Sequence, residues 1–290
     1  MKKVIIFLIV LISTAVSQTI SLEDKPELFA PDTISTDKSE VRITFTKDGR
    51  TALWGTIGYD NGIGGCDIWM SIKNGKEWSK PKPVSFNTTA DEFDPYFAPD
   101  DKRVYFLSNR EGGYGGDDLY YVQYDSTRKI FGNPINMGTE FNTSGNEDCP
   151  SISPDGKNFL FCSDGLGGRG KHDIFLSKAN GSNWASPQSI DMLNSDKDEM
   201  YPIFLQDNKT IVFTRRITQY VGVLYISFLE NGSYSFPSKI DETMNIPGKF
   251  NFGASINPAA KDYIYYSTRI GPNSRGKSDI YRIKYKLMKF

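Results

Sequence analysis

Four glutamates recur at one register of this 290-residue sequence, Glu40, Glu92, Glu147 and Glu199, and Asn251 stands at the fifth place. Asp91, Asp94, Asp148 and Asp198 lie beside them. Carboxylates gathered from separate repeats raise one another's pKa unless a cation or a basic side chain neutralises them. Three chemistries are open to the set. Each Glu can be tied down by backbone amides or by a local base such as Arg110, Arg216 or Arg269, the ordinary fate of aligned acids. The set can form a ring that binds a cation or a basic segment of a partner, which makes the four glutamates the candidate ligand-binding residues. Two of them can also flank a sugar, a hydrolytic arrangement that needs carboxyl groups roughly 5 to 9 Å apart. Catalytic acids usually break repeat symmetry and these follow it, so no catalytic residue is assigned.

A second stretch, Gly112 to Tyr120 (GGYGGDDLY), fits a calcium-binding nonapeptide. Such nonapeptides hold ions between successive turns of a coil and must stand in tandem. Here the related loops YDNGIGGCD, GLGGRGKHD and GPNSRGKSD lie about fifty residues apart. The repeating Asp67, Asp118, Asp173 and Asp279 are therefore expected to accept hydrogen bonds from their own loop amides. Asp117 is an additional acid in one loop only, and is where a cation would be sought first. No metal site and no cofactor are assigned, because the chain has one histidine, His172, read as a solvated loop residue, and scattered cysteines. Cys149 and Cys162 flank the Ser153-Pro154-Asp155-Gly156-Lys157 turn. A two-residue turn brings them face to face, whereas a bulged Pro-Asp-Gly turn sends them to opposite faces as free, half-buried thiols, the favoured form. Cys66 has no repeat partner. No G-x-S-x-G elbow accompanies the lone histidine, so nucleophile chemistry has little footing.

The elements that must position these residues repeat as well. A motif of a large apolar residue, two residues, Pro, two residues and an aliphatic residue starts at Leu28, Trp78, Phe131, Trp184 and Tyr234, at spacings of 50, 53, 53 and 50. Hairpin turns TKDGR, APDDK, SPDGK, LQDNK and NPAAK each precede a short apolar strand, and a glycine-rich loop then leads to a third strand such as DIWMSI or DLYYVQ. Four short strands recurring at this period describe a propeller blade. The copy at Leu28 to Ile34 stands alone before the first full unit, while the fifth unit lacks an outer strand. The fold class expected is an all-β, five-bladed β-propeller of four-stranded blades, the N-terminal strand completing the last blade. Repeating aromatics, Trp54 and Trp69 among them, are read as packing between blades.

The phrases DEFDPYFAPDDKRVYFLSNREGGYGGDDLYYV (91–122) and NEDCPSISPDGKNFLFCSDGLGGRGKHDIFL (146–176) resemble the WD40-like Pro-Asp repeat of TolB-type propellers. That resemblance implies a platform for binding other proteins or peptidoglycan-associated partners. At the N-terminus, Met1-Lys2-Lys3, an apolar run from Val4 to Ile12 and Ser13 to Ser17 read as a signal peptide, residues 1–17. One propeller domain, residues 18–290, is then expected in the periplasm or outside the cell. Loss of Lys2 and Lys3 takes the formal charge from -1 to about -3, which suits neither nucleic acid nor insertion into a membrane. The function expected is non-catalytic binding or scaffolding of a protein or cell-envelope partner by a monomer, with a carbohydrate-active hydrolase as the alternative.

Overall fold

The computed structural model describes residues 18–289. The expected signal peptide lies outside the described residues. Those described are all-β and form five blades. From axis to rim, blade one runs Ser39–Phe45, Thr51–Ile57, Cys66–Asn74 and a broken outer strand, Glu77–Trp78 with Lys82–Pro83. Inner strands start at Glu92, Glu147, Asp198 and Asn251 in blades two to five. Ser39–Phe45 is buried at every position, as it must be with neighbouring blades covering both of its faces. Outer strands break at Pro81, Pro134, Pro187 and Pro237, since a residue without an N–H cannot continue the ladder.

Closure occurs in blade five. Gln18–Leu28 lies antiparallel to Asp279–Lys289, from Gln18 opposite Lys289 to Leu28 opposite Tyr281. The expected closing copy, Leu28 to Ile34, shares only Leu28 with this strand. Beyond it Phe29 N donates to Ile280 O, the bond that Val84 N makes to Ile68 O in blade one, so Phe29 rather than Ile34 is the equivalent of Val84. Pro31 offers no N–H, Ala30 and Asp32 take left-handed φ values of 45° and 63°, and residues 30–35 fold into a tight turn. The seam is filled by rings from both its blades: Phe29 and Phe45 lie 5.1 and 4.9 Å from Tyr265.

Beside the turn, the Ser153 to Lys157 hairpin keeps the register of the two-residue alternative rather than the favoured one with Ser153 opposite Lys157, but a bulge further along keeps Cys149 from facing Cys162. Ile152 pairs with Phe159 and Ser153 N donates to Asn158 O, leaving a four-residue loop in which Gly156 takes φ 74°. Asp148 pairs with Cys162, and Cys149 is the extra residue of a bulge. All three cysteines are free; Cys149 and Cys162 are fully rather than half buried.

Candidate functional site

In an antiparallel meander, the loops from second to third strand and the connections from outer strand to next inner strand emerge on one edge. Their backbones touch around the ring. A Cβ placed on Gly64 would strike the carbonyl of Ala90, and one on Gly170 that of Lys197. These glycines are required by close approach rather than by φ. The loop aspartates behave as expected: Asp118 accepts from Tyr114 N (2.7 Å) and Gly115 N (3.1 Å), and Asp67, Asp173 and Asp279 repeat the pattern.

Each aligned glutamate folds its carboxylate back onto the residue four positions earlier. Glu147 accepts from Thr143 N (2.7 Å) and Oγ1 (2.8 Å), and Glu199 from Ser195 N (2.9 Å) and Oγ (2.6 Å). Glu92 and Glu40 do the same with Thr88 and Thr36. Two have bases: Arg110 lies 3.0 Å from Glu92, and Arg215 lies 2.6 Å from Glu199. Arg215 takes the place expected of Arg216, which pairs with Asp198 at 3.1 Å instead, while Arg269 covers the ring of Phe250. At the fifth place Asn251 turns amide donor, reaching the carbonyls of Gly222, Ile246 and Lys249. All four glutamates are fully buried. Glu40 has no base, and burial pushes its pKa up to about 7. The carboxylates fasten the mouth connections to the inner strands; they do not open onto solvent.

The axis is lined by another column, two residues further along. Arg42, Asp94, Cys149, Tyr201 and Gly253 have φ of 47°, 52°, 55°, 55° and 62°, and each sits where the inner ladder loses register. A left-handed bulge re-aims one side chain per blade. Arg42 reaches every other blade, which places it on the axis. It lies 3.3 Å from Asp94 Oδ2, donates to Pro150 O at 2.6 Å, lies 5.7 Å from the Tyr201 ring centroid, and has its backbone and Cβ beside Gly253. Its guanidinium is 1% exposed. Burial raises the pKa of Asp94 against the pull of Arg42.

Beside this column stands a second group of acids. His172 Nε2 lies 3.5 Å from Asp148 Oδ2 and 3.9 Å from Asp164 Oδ2. Its side chain is 17% exposed, so it is not the solvated loop residue expected: its loop folds over the mouth and delivers the imidazole to two carboxylates. Burial raises Asp117, with Asp91 and Asp94 adding to the shift. Burial also holds Asp148 at about 6, against the pull of His172.

Around the same edge the rim exposes apolar side chains among its charged ones. Ile57, Ile63, Tyr114, Ile217, Tyr220 and Ile270 are exposed, all in or beside loops from second to third strand, with Tyr220 at 67% and Ile270 at 62%. Trp54 and Trp69 are core, as the repeat predicts, and Tyr59 packs 4.3 Å from Trp69. Sequence reasoning missed Arg42 and Tyr201. Their signal was the column two places after each Glu, where Arg, Asp, Cys, Tyr and Gly replace one another while both flanks keep the repeat.

No protein-family model and no curated protein matches the sequence. Solved structures do. TolB from Acinetobacter baumannii is 16% identical with a TM-score of 0.49 over 86% of this chain, which spans 56% of that protein's length. A putative TolB from Agrobacterium tumefaciens is 14% identical (TM-score 0.52, 95% of this chain, 99% of that one). An α-L-arabinofuranosidase from Podospora anserina, solved with cellotriose, is 10% identical (TM-score 0.54, 88% and 92%). At such identities the likeness is one of fold: this chain is a five-bladed β-propeller, similar in architecture to TolB-like proteins and to a glycosidase alike.

Proposed function

We propose that this propeller is a non-catalytic binding or scaffold module that engages a protein or cell-envelope partner through its loop-bearing mouth. The observation that carries the reading is the pairing of a sealed acid ring with apolar side chains exposed at the rim. Glu40, Glu92, Glu147 and Glu199 stiffen the connections, and the exposed Tyr114, Ile217, Tyr220 and Ile270 offer contact area on that stiffened edge. Large apolar side chains left exposed along one edge are what an interaction site requires. The leader-like composition of residues 1–17 supports a place in the periplasm or outside the cell.

The test is crosslinking of the native protein in its envelope fraction. A Tyr220→Ser/Ile270→Ser variant should lose the crosslinked partner, and Ile130→Ser, in the outer-strand hairpin of blade two, should keep it. Equal crosslinking by all three sinks the reading. A hydrolase reading has one observation in its favour, the closeness of Asp91, Asp117 and Asp148 at the mouth with Asp148 at about 6, where a carboxylic acid can still donate a proton. Turnover of a glycoside that Asp148→Asn abolishes would establish it in place of the binding reading.

A further inference from the structure

We infer that Asp148, Cys149 and Cys162 form a zinc-class metal site at the axial end of blade three. Their donor atoms, one carboxylate oxygen and two Sγ, all lie within 4.8 Å of one another, and all three residues are buried. The bulge makes this possible. In a regular ladder the side chains of Asp148 and Cys149 would point to opposite faces; the left-handed φ of 55° at Cys149 turns it toward Cys162, which pairs across the ladder with Asp148.

A second, independent observation points to a ligand. Asp148 Oδ1 is buried without a hydrogen-bond partner, while Oδ2 of the same carboxylate faces His172 Nε2 at 3.5 Å. A buried carboxylate oxygen left unpaired is costly, and a cation on that side removes the cost. The donor set selects the metal: two soft thiolates and one carboxylate suit zinc, and calcium and magnesium prefer oxygen alone. Charge is conserved as well. Two thiol protons leave as one dication enters, so the buried cluster beside Arg42 keeps its net charge. His172 is a positioning residue, holding the Asp148 carboxylate through Oδ2 while the group stays within reach of the sulfurs. Asp91 and Asp117, drawn toward the same mouth, form an anionic approach for the ion.

The experiment uses the full mature chain, chelator-treated and kept reduced, titrated with Co²⁺ and then Zn²⁺. The expected result is one equivalent of Co²⁺ with an intense near-ultraviolet thiolate charge-transfer band, displaced by Zn²⁺, and two protons released per ion. Cys66→Ser should leave the band intact and Cys162→Ser should abolish it. His172→Ala should keep the band's shape while affinity falls roughly 10- to 100-fold. Because the wild-type spectrum needs no variant to fold, it decides by itself: absence of the band in folded, reduced protein overturns the site. So does a band that survives Cys162→Ser but vanishes in Cys66→Ser.

Discussion

Replacing Arg42 with Met tests whether the axis is held by charge or only filled by volume. Met keeps a long chain and keeps the Cβ, so the left-handed strain at position 42 is unchanged. What goes is the 3.3 Å pair with Asp94 and the 2.6 Å donation to the Pro150 carbonyl. Removing one partner of a buried pair leaves the other charge without compensation, a loss of about 3 to 5 kcal/mol. The stranded carbonyl adds roughly 1 kcal/mol or more. A total of about 5 kcal/mol is a large share of the usual 5 to 15 kcal/mol of stability. With a urea m-value of about 3 kcal/mol/M, the unfolding midpoint should fall by about 1.7 M. Asp94→Asn suits the same backbone, because Asn tolerates left-handed φ, and it should cost a comparable amount by stranding Arg42 instead. The double variant has no stranded charge, so its loss should fall short of the sum by about 2 kcal/mol or more. A coupling below about 0.5 kcal/mol, the range of independent sites, would refute the argument.

Glu40 gives a pH prediction. Its pKa rises from 4.5 to about 7 on folding through burial, so the folded state holds its proton more tightly. The associated stability is complete below about pH 4.5 and is lost as pH climbs through 7, an effect on the order of 3 kcal/mol. Glu40→Gln should flatten the stability profile across that window in denaturation series; an unchanged slope would count against it. Removing Gln18–Leu28 should bare the edge of Asp279–Lys289 and produce oligomers in sedimentation velocity, since an unpaired edge recruits other strands. A monomer with an unchanged unfolding midpoint would show that closure contributes little. Gly170→Ala should cost about 1 to 3 kcal/mol through its clash with the Lys197 carbonyl, whereas Gly167→Ala, in open space but at φ 81°, should cost about 1 kcal/mol. Thermal unfolding of both variants checks the order.

The blades were legible because a propeller writes its period into the chain. Turn residues, third-strand aromatics and glycine loops recur at fixed offsets, and each offset answers a local constraint. The closing strand was misplaced because Leu28 to Ile34 imitates the spacing of Trp78 to Val84, while the true signal, Ile20 and Leu22 alternating toward the core, is too short to stand out. The glutamates stand out as a column, whereas their partners four residues back are common loop hydroxyls that carry no mark of their own. Their constant spacing, a Ser or Thr four places before each Glu, was the clue. The axis was hidden for the opposite reason. Its residues share a backbone geometry and no chemistry, so a search for repeated residue types passes over them.

That axial column divides the molecule into two kinds of position under mutation. Most of each blade answers to its neighbours, and a change in one copy is judged against a shared pattern. The left-handed bulge instead turns one residue per blade, Arg42, Asp94, Cys149, Tyr201 and Gly253, toward a common meeting point, where four side chains and a glycine must suit one another across blades. Duplicating a blade would copy the scaffold faithfully and place an unsuited sixth residue at the centre. Relatives of this chain should therefore differ most in this column, with the ladders kept.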